Sequence, residues 1–243
     1  MIYMTKKKNI ILVLAFLCLF TGIFLFQVSL KPQEAKKEEP KSRIADTIVI
    51  EEQKTEEEIS NGEKILQYRT EYNNQEVVGE LQIPNTSLVV PVLQSDDNKY
   101  YLDHLPDKTK NSLGSVFLDY RNNVDDRKII LYGHNSETIE TDFHLLENYV
   151  DPTYYSDHNI ILFQTENKLY RYQIFSVYIA TQDYQHVNLN FTDETYAAHL
   201  AWLKKQSLYD TGVGIVPTDE IIVLQTCYFE PVGSYLIVVG KKI

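Results

Sequence analysis

Eight short runs rich in β-branched, leucine and aromatic residues extend from Val77 to the C-terminus, and they constrain the fold more than any other feature. Turn-forming residues such as Pro84-Asn85 and Arg121-Asn122-Asn123 separate them. Short strands at this spacing are typical of a closed or nearly closed β-barrel. We therefore predict a mainly β domain with strands at Val77–Ile83, Leu88–Leu93, Ser115–Asp119, Lys128–Tyr132, Ile160–Gln164, Leu169–Ala180, Ile221–Leu224 and Leu236–Val239.

Helices are predicted at three places. Glu63–Asn73 forms an amphipathic helix that leads into the domain, and Phe143–Tyr149 forms a short one. The strongest signal is Thr192–Leu208, where Thr192 is a suitable N-terminal cap and an apolar stripe recurs at helical spacing. We expect that stripe, Tyr196, Leu200 and Leu203, to face the core and His199 to face solvent.

The N-terminal quarter divides by composition. Residues 9–30 are uncharged and apolar, long enough to span a membrane, and Lys6 to Lys8 precede them, which predicts an anchor with residues 1–8 in the cytoplasm. A cleaved signal peptide is the alternative, but no small-x-small cleavage site follows the run. Residues 31–63 are rich in Lys and Glu and predict a solvated extracellular linker, so that residues 64–243 form a folded domain outside the cell.

The charge of the chain restricts its partners. The formal net charge is -11 at pH 7, and nucleic acid is unlikely to bind such a surface because phosphate backbones select basic ones. Single histidines at 104, 144, 158, 186 and 199 lack a second ligand at metal spacing, and we expect them in solvated or capping roles. A calcium site from Asp96, Asp97, Asp125 and Asp126 is conceivable, but paired acids usually belong to turns. We predict neither a metal nor another cofactor.

One cysteine and one histidine stand where strands are predicted to end. Cys227 follows the run Ile221–Leu224 after two polar residues, Gln225 and Thr226, which we expect to end that strand. Its only possible partner, Cys18, lies in the predicted anchor, so a disulfide within the domain is excluded. His134 follows the run Lys128–Tyr132. A thiol and an imidazole at two strand ends form a candidate nucleophile and acid-base pair, although a lone cysteine is often a buried hydrophobe.

These segments resemble a family. The blocks Leu224-Gln225-Thr226-Cys227 and Tyr132-Gly133-His134-Asn135 and the ending Val239-Gly240-Lys241 resemble the sortases, cysteine transpeptidases of Gram-positive cell surfaces. The blocks Val78–Pro84, Pro91–Gln94, Asp97–Leu102 and Gly114–Asp119 are similar to class B members in particular. The resemblance runs from about Tyr68 to the C-terminus. It implies an eight-stranded sortase barrel with an N-terminal helix and a helix inserted between strands 6 and 7.

The resemblance also implies an activity. Cys227 would cleave a sorting signal of the Leu-Pro-x-Thr-Gly kind in a surface protein or pilin, hold the acyl group as a thioester, and pass it to an amine. That amine would be a pilin lysine or a peptidoglycan cross-bridge. His134 would protonate the leaving amine. The residues alone leave open whether the resting pair is thiolate-imidazolium or neutral, and whether water competes with the amine.

The chain departs from the family at its third catalytic residue. Sortases carry an arginine eight to ten positions after the cysteine, but no arginine follows Cys227, and Tyr235 occupies the best-aligned position. Three explanations remain open: Tyr235 and backbone amides suffice, Arg171 or Arg121 reaches the site, or the protein is a weak or inactive assembly factor.

By resemblance, substrate contacts are expected from five further residues. They lie on the loop after the second strand, before the inserted helix and beside the cysteine: Asn98, Leu102, Thr181, Tyr184 and Thr226. For Leu102 and Tyr184, simple packing is an equally good explanation.

Overall fold

The computed structural model describes residues 62–243. The predicted cytoplasmic segment 1–8, the anchor 9–30 and all but the end of the linker 31–63 lie outside these residues. Within 62–243, every helix is too short or too polar to cross a bilayer.

Eight strands close into a barrel, as the sequence pattern predicted. Their order around the barrel is β1-β2-β3-β4-β7-β8-β6-β5, and β5 pairs with β1 to complete the ring. Two pairs are parallel, β2 with β3 and β4 with β7. The strands are β1 Val77–Gln82, β2 Val89–Leu93, β3 Phe117–Leu118, β4 Lys128–Tyr132, β5 Ile160–Gln164, β6 Leu169–Ala180, β7 Ile221–Tyr228 and β8 Ser234–Lys242.

The barrel has apolar side chains on both faces. Because successive side chains of a strand point to opposite faces, β4 and β7 fill the interior with one set of residues and cover the outer surface with the other. Leu131 and Leu224 belong to the interior core, whereas Ile130 and Val223 pack on the outside beneath a helix. This two-sided burial explains why the runs of β4 and β7 are continuously apolar.

Helices cover the outside of the barrel. α1 is described over residues 62–71, α2 is Pro152–Asp157 and α3 is Asp193–Gln206. Three short 3-10 helices are Tyr100–Leu102, His144–Val150 and Gln185–Val187. α3 lies between β6 and β7 in the chain, as predicted, and a capping box of Thr192 and Thr195 begins it. Its predicted stripe is buried: Tyr196, Leu200 and Leu203.

Two histidine predictions were wrong. His199 does not face solvent but is 5% exposed, because Phe191 and Trp202 stack on its ring and Lys128 Nζ donates to its Nε2 at 2.8 Å. His186 is fully buried rather than solvated, and its Nε2 bonds Gln225 Oε1 at 2.8 Å. The segment 185–191 folds over this side of the barrel, and the sequence pattern does not reveal that cover.

β7 is longer than predicted. Gln225 and Thr226 do not end it; the strand continues to Tyr228 because β8 pairs with it over its full length, including Cys227 opposite Tyr235. Backbone pairing with β8 extends the strand past Gln225, and the β-branched Thr226 is itself favoured in a strand. Cys227 is therefore held in a strand and not in a turn.

Candidate active site

The parallel pair β4 and β7 brings the predicted cysteine and histidine to one rim of the barrel. Tyr132 is opposite Gln225 in the ladder, and beyond it Gly133 N donates to Gln225 O at 3.2 Å. Thr226 Oγ1 donates to Gly133 O at 2.8 Å. These two bonds fix the segments that carry His134 and Cys227 side by side.

A groove of about 540 Å³ lies along the outer face of the sheet at this rim. Cys227, His134 and Tyr235 all line it. Tyr132 and Gln225 form its floor, and Asn98, Leu102, Arg121 and Val187 form its walls. The groove thus contains the residues that the sequence predicted to carry the chemistry.

The imidazole of His134 is held along one edge. Its Nε2 is 2.6 Å from the carbonyl oxygen of Leu102. A carbonyl oxygen only accepts, so Nε2 carries the proton and the neutral ring keeps its lone pair on Nδ1. Gly114 has φ +61, and a Cβ at that position would lie 2.8 Å from His134 Cδ2. The Nε2 edge therefore rests on backbone, and Nδ1 is the nitrogen able to accept a proton.

Asn135 links the two segments and was missed as a separate contributor. Its buried side-chain amide donates to Cys227 O at 3.0 Å and to Glu147 Oε1 at 2.5 Å, while its Oδ1 bonds His144 Nδ1 at 2.9 Å. Its position directly after His134, in the segment Tyr132-Gly133-His134-Asn135, was the sequence feature that could have indicated this role. Asn135 fixes the backbone of Cys227 against the chain that carries the imidazole.

Burial raises the pKa of the Cys227 thiol above its ordinary value. The thiol is therefore protonated at neutral pH. Of the two resting states left open by the sequence, burial favours the neutral pair, with proton transfer to the imidazole accompanying attack.

Two side chains that line the groove, Tyr235 and Arg121, are candidates for the role of the missing arginine. Tyr235 is opposite Cys227 in the β7–β8 ladder, and its ring packs edge-on against Tyr184 at 5.7 Å between centroids. Arg121 also lines the groove. Arg171 is paired with Leu162 on the β5–β6 side and is not among the lining residues, so of the two arginines considered Arg121 is the one that lines the groove.

A buried carboxylate organises the wall beside Arg121. Asp119 accepts from Arg121 Nε at 2.8 Å, from Tyr132 Oη at 2.8 Å and from Asn98 Nδ2 at 3.0 Å. Burial by itself raises the pKa of this carboxyl, but the hydrogen bonds from Arg121, Tyr132 and Asn98 outweigh it and hold the pKa below its ordinary value. Asp119 is thus an ionised anchor within the groove wall.

The predicted substrate contacts divide into two groups. Asn98, Leu102 and Thr226 line the groove, although the hydroxyl of Thr226 is committed to Gly133 and the amide of Asn98 to Asp119 and Tyr120. Thr181 and Tyr184 are not among the lining residues. Tyr184 packs against Tyr235 and against His186, which bonds Gln225 on the groove floor.

The acids considered for a calcium site stay in turns. Asp97 Oδ1 accepts from the backbone of Lys99 and Tyr100, and Asp126 Oδ2 accepts from that of Asn123. Across residues 62–243, no group of three His, Cys, Asp or Glu side chains converges on a point where a metal could bind.

A closed β-barrel with a thiol and an imidazole in one groove at its rim defines the class of cysteine-dependent acyl-transfer enzymes. A family model described as "Sortase domain" matches residues 81–243. The chain belongs to the sortase family of cysteine transpeptidases, and its relatives assign it to the class B branch.

The relatives are sortase B proteins. Sortase B of Listeria monocytogenes is 36% identical over 157 residues, which cover 63% of this chain and 63% of that protein, less than two thirds of its length. Sortase B of Staphylococcus aureus is 32% identical over 175 residues, covering 70% of this chain and 71% of that one.

Solved structures agree with this assignment. An X-ray structure of a mutant form of Clostridium perfringens sortase B matches with a TM-score of 0.71 at 27% identity, covering 78% of this chain and 90% of that one. A Staphylococcus aureus sortase B-substrate complex matches with a TM-score of 0.68 at 30% identity, covering 74% and 84%.

Proposed function

We propose that this protein cleaves a sorting signal through a thioester on Cys227 and joins the new C-terminus to an amine. The observation that carries the proposal is that Cys227 and His134 line one groove, on neighbouring strand ends tied together by Thr226 and Asn135. In this proposal Cys227 is the nucleophile and His134 the general acid and base.

The steps follow from the protonation states. The thiol proton passes to His134 Nδ1 as the sulfur attacks the scissile carbonyl carbon and its oxygen becomes an oxyanion. The C–N bond then breaks, His134 returns the proton to the leaving amine, and a thioester remains on Cys227. The second amine loses a proton to His134 as it attacks the thioester. Collapse forms the amide and releases the sulfur, which recovers its proton.

Tyr235 takes the place of the family's arginine in this scheme. Its position opposite Cys227 allows a phenol to donate one hydrogen bond near the developing oxyanion. A phenol brings no positive charge, so backbone amides must supply the remaining stabilisation. We expect a slower enzyme than one with the arginine.

The substrate is proposed to be a signal of the Leu-Pro-x-Thr-Gly kind in a surface protein or pilin. One structural neighbour is described as a sortase B-substrate complex and another as sortase B complexed with triglycine. We favour a pilin lysine as the amine, because the missing arginine indicates a specialised member; a peptidoglycan cross-bridge is the alternative. Incubating the enzyme with pilin and with cross-bridge amines distinguishes them, since only the first gives ladders of high mass.

The location is proposed from sequence. The apolar run 9–30 would anchor the protein in the cell membrane, with the N-terminus in the cytoplasm and the domain outside. Membrane fractionation of the full chain tests this. Recovery of a mature protein that begins after residue 30 would contradict it and support a cleaved signal peptide.

The direct test of the chemistry is covalent labelling. A sorting-signal peptide ending in an electrophile should label the wild-type chain and fail to label Cys227→Ala, while His134→Ala should label far more slowly. Equal labelling of wild type and Cys227→Ala would contradict the proposal. Comparing amide product with free acid then measures how often water replaces the amine.

One observation favours a second function. The absence of an arginine after Cys227 is compatible with an assembly factor that binds sorting signals in the same groove without reaction. Complementation separates the two functions: a Cys227→Ala gene restores a deletion strain if the protein is an assembly factor, and fails to restore it if the protein is an enzyme.

A further inference from the structure

A cavity of about 470 Å³ lies between segment 185–191 and the turn that precedes β4. Within residues 62–243, its lining contains three cations, Arg121, Arg127 and Lys128, and a single carboxylate, Asp126. Of these described lining residues, Arg121 alone also borders the groove that holds the thiol. The cavity is therefore a separate concave site with an excess of positive charge.

This cavity lies at the opposite end of β4 from the reacting residues. Lys128 is the first residue of β4, whereas His134 follows its last residue, Tyr132. The strand between Lys128 and Tyr132 spans about 13 Å at ~3.3 Å per residue. A ligand in the cavity is therefore too far from Cys227 to take part in acyl transfer.

Lys128 is a buried cation without a counter-ion. The residue is 3% exposed, and its Nζ donates to Asn188 O at 2.7 Å and to His199 Nε2 at 2.8 Å, both of them neutral acceptors. No carboxylate of residues 62–243 forms an ion pair with Nζ, and burial lowers the pKa of this amine to about 7. An ammonium group has three N–H bonds, so one is left for a further acceptor. Because an unpaired buried charge is costly, an anion in the cavity would stabilise the charged form.

The two arginines are held by partners that leave donors unused. Asp119 accepts from Nε and Nη2 of Arg121, and within the described part of the chain Nη1 has no partner. Arg127 donates from Nη1 to Asp193 Oδ1 at 3.0 Å and from Nη2 to Phe191 O at 3.3 Å. The pair of Arg127 with Asp193 is exposed and therefore weak, so an anion can compete for this guanidinium.

The arrangement of the three cations favours a phosphate over a carboxylate. A phosphate has several acceptor oxygens that face different directions, so donors from three side chains can bind it together, whereas a single guanidinium already matches a carboxylate. The cavity also falls in the size range of small-molecule sites, about 300–1,000 Å³. It therefore has room for the organic part of a phosphate ester.

We propose that this cavity binds a phosphate group, either free phosphate or the phosphate of a lipid headgroup, through Lys128, Arg127 and Arg121. The bound group would also fix segment 185–191, since Lys128 and Arg127 donate to carbonyl groups of that segment. The inference does not depend on the function proposed for Cys227.

Calorimetric titration of the full chain in detergent, at constant ionic strength set with chloride, tests the site. Inorganic phosphate and glycerophosphoglycerol, the soluble headgroup of phosphatidylglycerol, are titrated separately. At least one should bind saturably and raise the melting temperature by mass action. Tighter binding of the first assigns the site to free phosphate, and tighter binding of the second assigns it to the lipid headgroup.

Lys128→Met and Arg127→Met should each weaken this binding about tenfold to a hundredfold, because each removes a charged hydrogen-bond donor. Arg127 is exposed, so its variant keeps the test valid if Lys128→Met does not fold. Lys204→Met is the matched control, since Lys204 Nζ also donates to a backbone carbonyl, Val213 O at 2.8 Å, but lies outside the cavity. It should leave the affinity within about twofold.

Three outcomes would overturn the inference. They are the lack of saturable binding of either ligand to the wild-type chain, an equal loss of affinity in Lys204→Met, and displacement of the bound phosphate by a sorting-signal peptide. The last outcome would place the anion in the groove rather than in this cavity.

Discussion

At the scale of single residues, the orientation of His134 depends on the absence of a side chain at Gly114. That glycine has φ +61, a conformation that costs other residues about 1–2 kcal/mol. A Cβ there would also lie 2.7 Å from Tyr101 O and 2.8 Å from His134 Cδ2. Glycine at position 114 therefore permits both the positive φ of the backbone and the observed position of the imidazole.

Gly114→Ala is expected to lower the rate of thiol labelling by far more than its loss of stability explains, because the ring must move from its place. Gly212→Ala is the control, since Gly212 has φ +70 but no atom within 4 Å of a new Cβ. Both variants carry the cost of a positive φ, and Gly114→Ala should lose further stability in thermal unfolding because its Cβ meets the backbone oxygens of Tyr101 and Leu102. At a temperature where both variants are folded, only Gly114→Ala should lose labelling. Equal labelling by the two variants would show that the imidazole does not depend on this contact.

Tyr235→Phe tests the proposed oxyanion donor. Removing a single donor costs about 2.7–4 kcal/mol in comparable sites, so kcat should fall about a hundredfold or more with little change in KM. Steady-state kinetics with a signal peptide and an amine measure both constants. Tyr184→Phe, which changes the ring that packs on Tyr235, is the control and should stay within about twofold.

The sequence predicted the reacting residues better than their neighbours. Cys227 and His134 were located in the groove because each follows a predicted strand, whereas Tyr235 was selected by its alignment with the family's arginine. Asn98 and Thr226 were correctly located in the groove, but their hydrogen-bonding capacity is spent inside the protein. Which polar atoms remain free to bind a substrate depends on the hydrogen-bond partners that folding brings close to them. A local sequence pattern does not contain that information.

At the scale of elements, the junction of β4 and β7 depends on one hydroxyl. Thr226 Oγ1 donates to Gly133 O, and the residue is almost fully buried. Thr226→Val keeps the shape but leaves that carbonyl unsatisfied, which should cost about 1–3 kcal/mol in the free energy of unfolding and slow labelling. Thr226→Ser should keep nearly full activity. Urea denaturation of both variants measures the difference.

The segment 185–191 is held to the barrel by side chains that bind its carbonyl groups. Arg121 binds Val187 O, Lys128 Nζ binds Asn188 O at 2.7 Å, and Arg127 Nη2 binds Phe191 O at 3.3 Å. His186 adds a bond to Gln225 on the groove floor. Burial lowers the pKa of Lys128 to about 7, because the charged ammonium group loses its hydration. One of the groups that hold segment 185–191 is therefore a cation whose burial costs free energy.

Protonation of His186 is predicted to weaken this cover in acid. Burial lowers the pKa of His186 to about 4, below the ordinary value near 6.5, so the unfolded chain binds the proton first. The contribution of neutral His186 to the free energy of unfolding is fully present above pH 6.5. It is lost as the pH drops toward 4, and the loss amounts to about 3 kcal/mol. His186→Gln should reduce the acid decline in urea denaturation between pH 6.5 and 4, and His199, whose pKa burial lowers to about 3, accounts for a remaining part.

Element boundaries show what periodicity can and cannot predict. The apolar runs of β4, β5 and β6 were predicted to the residue, since both ends are marked by polar or turn-forming neighbours. β7 was predicted too short, because the apolar run ends before the polar residues Gln225 and Thr226 although pairing with β8 continues through them. The burial of His199 on α3 could not be predicted, since Phe191 and Trp202 cover it only after folding.

At the scale of the whole molecule, α1 belongs to the folded domain and is not part of a tether. Ile65 is fully buried in a cluster with Val77, Leu93, Tyr101 and Phe117, and Arg69 Nη1 pairs with Glu166 Oε2 at 2.6 Å. Phe117 is the first residue of β3, next to the groove. The helix therefore supports the sheet that carries the site.

A protein of residues 62–243 is expected to fold and to be labelled at Cys227 like the full chain. One of residues 74–243 lacks α1, and the exposure of Ile65 and its partners should cost several kcal/mol, at about 1.5–3 kcal/mol for each large apolar side chain. Thermal unfolding and labelling of both proteins measure this. Equal melting temperatures would show that the helix is dispensable.

The thiol lies on the penultimate strand of a ring that closes only when β8 joins β6. While the chain is being made, the imidazole is synthesised long before the sulfur, and the two are neighbours only after the last residues have been threaded into place. The pairing of sulfur and imidazole is therefore absent while the chain leaves the ribosome. It forms at the end of synthesis, when the protein has finished folding.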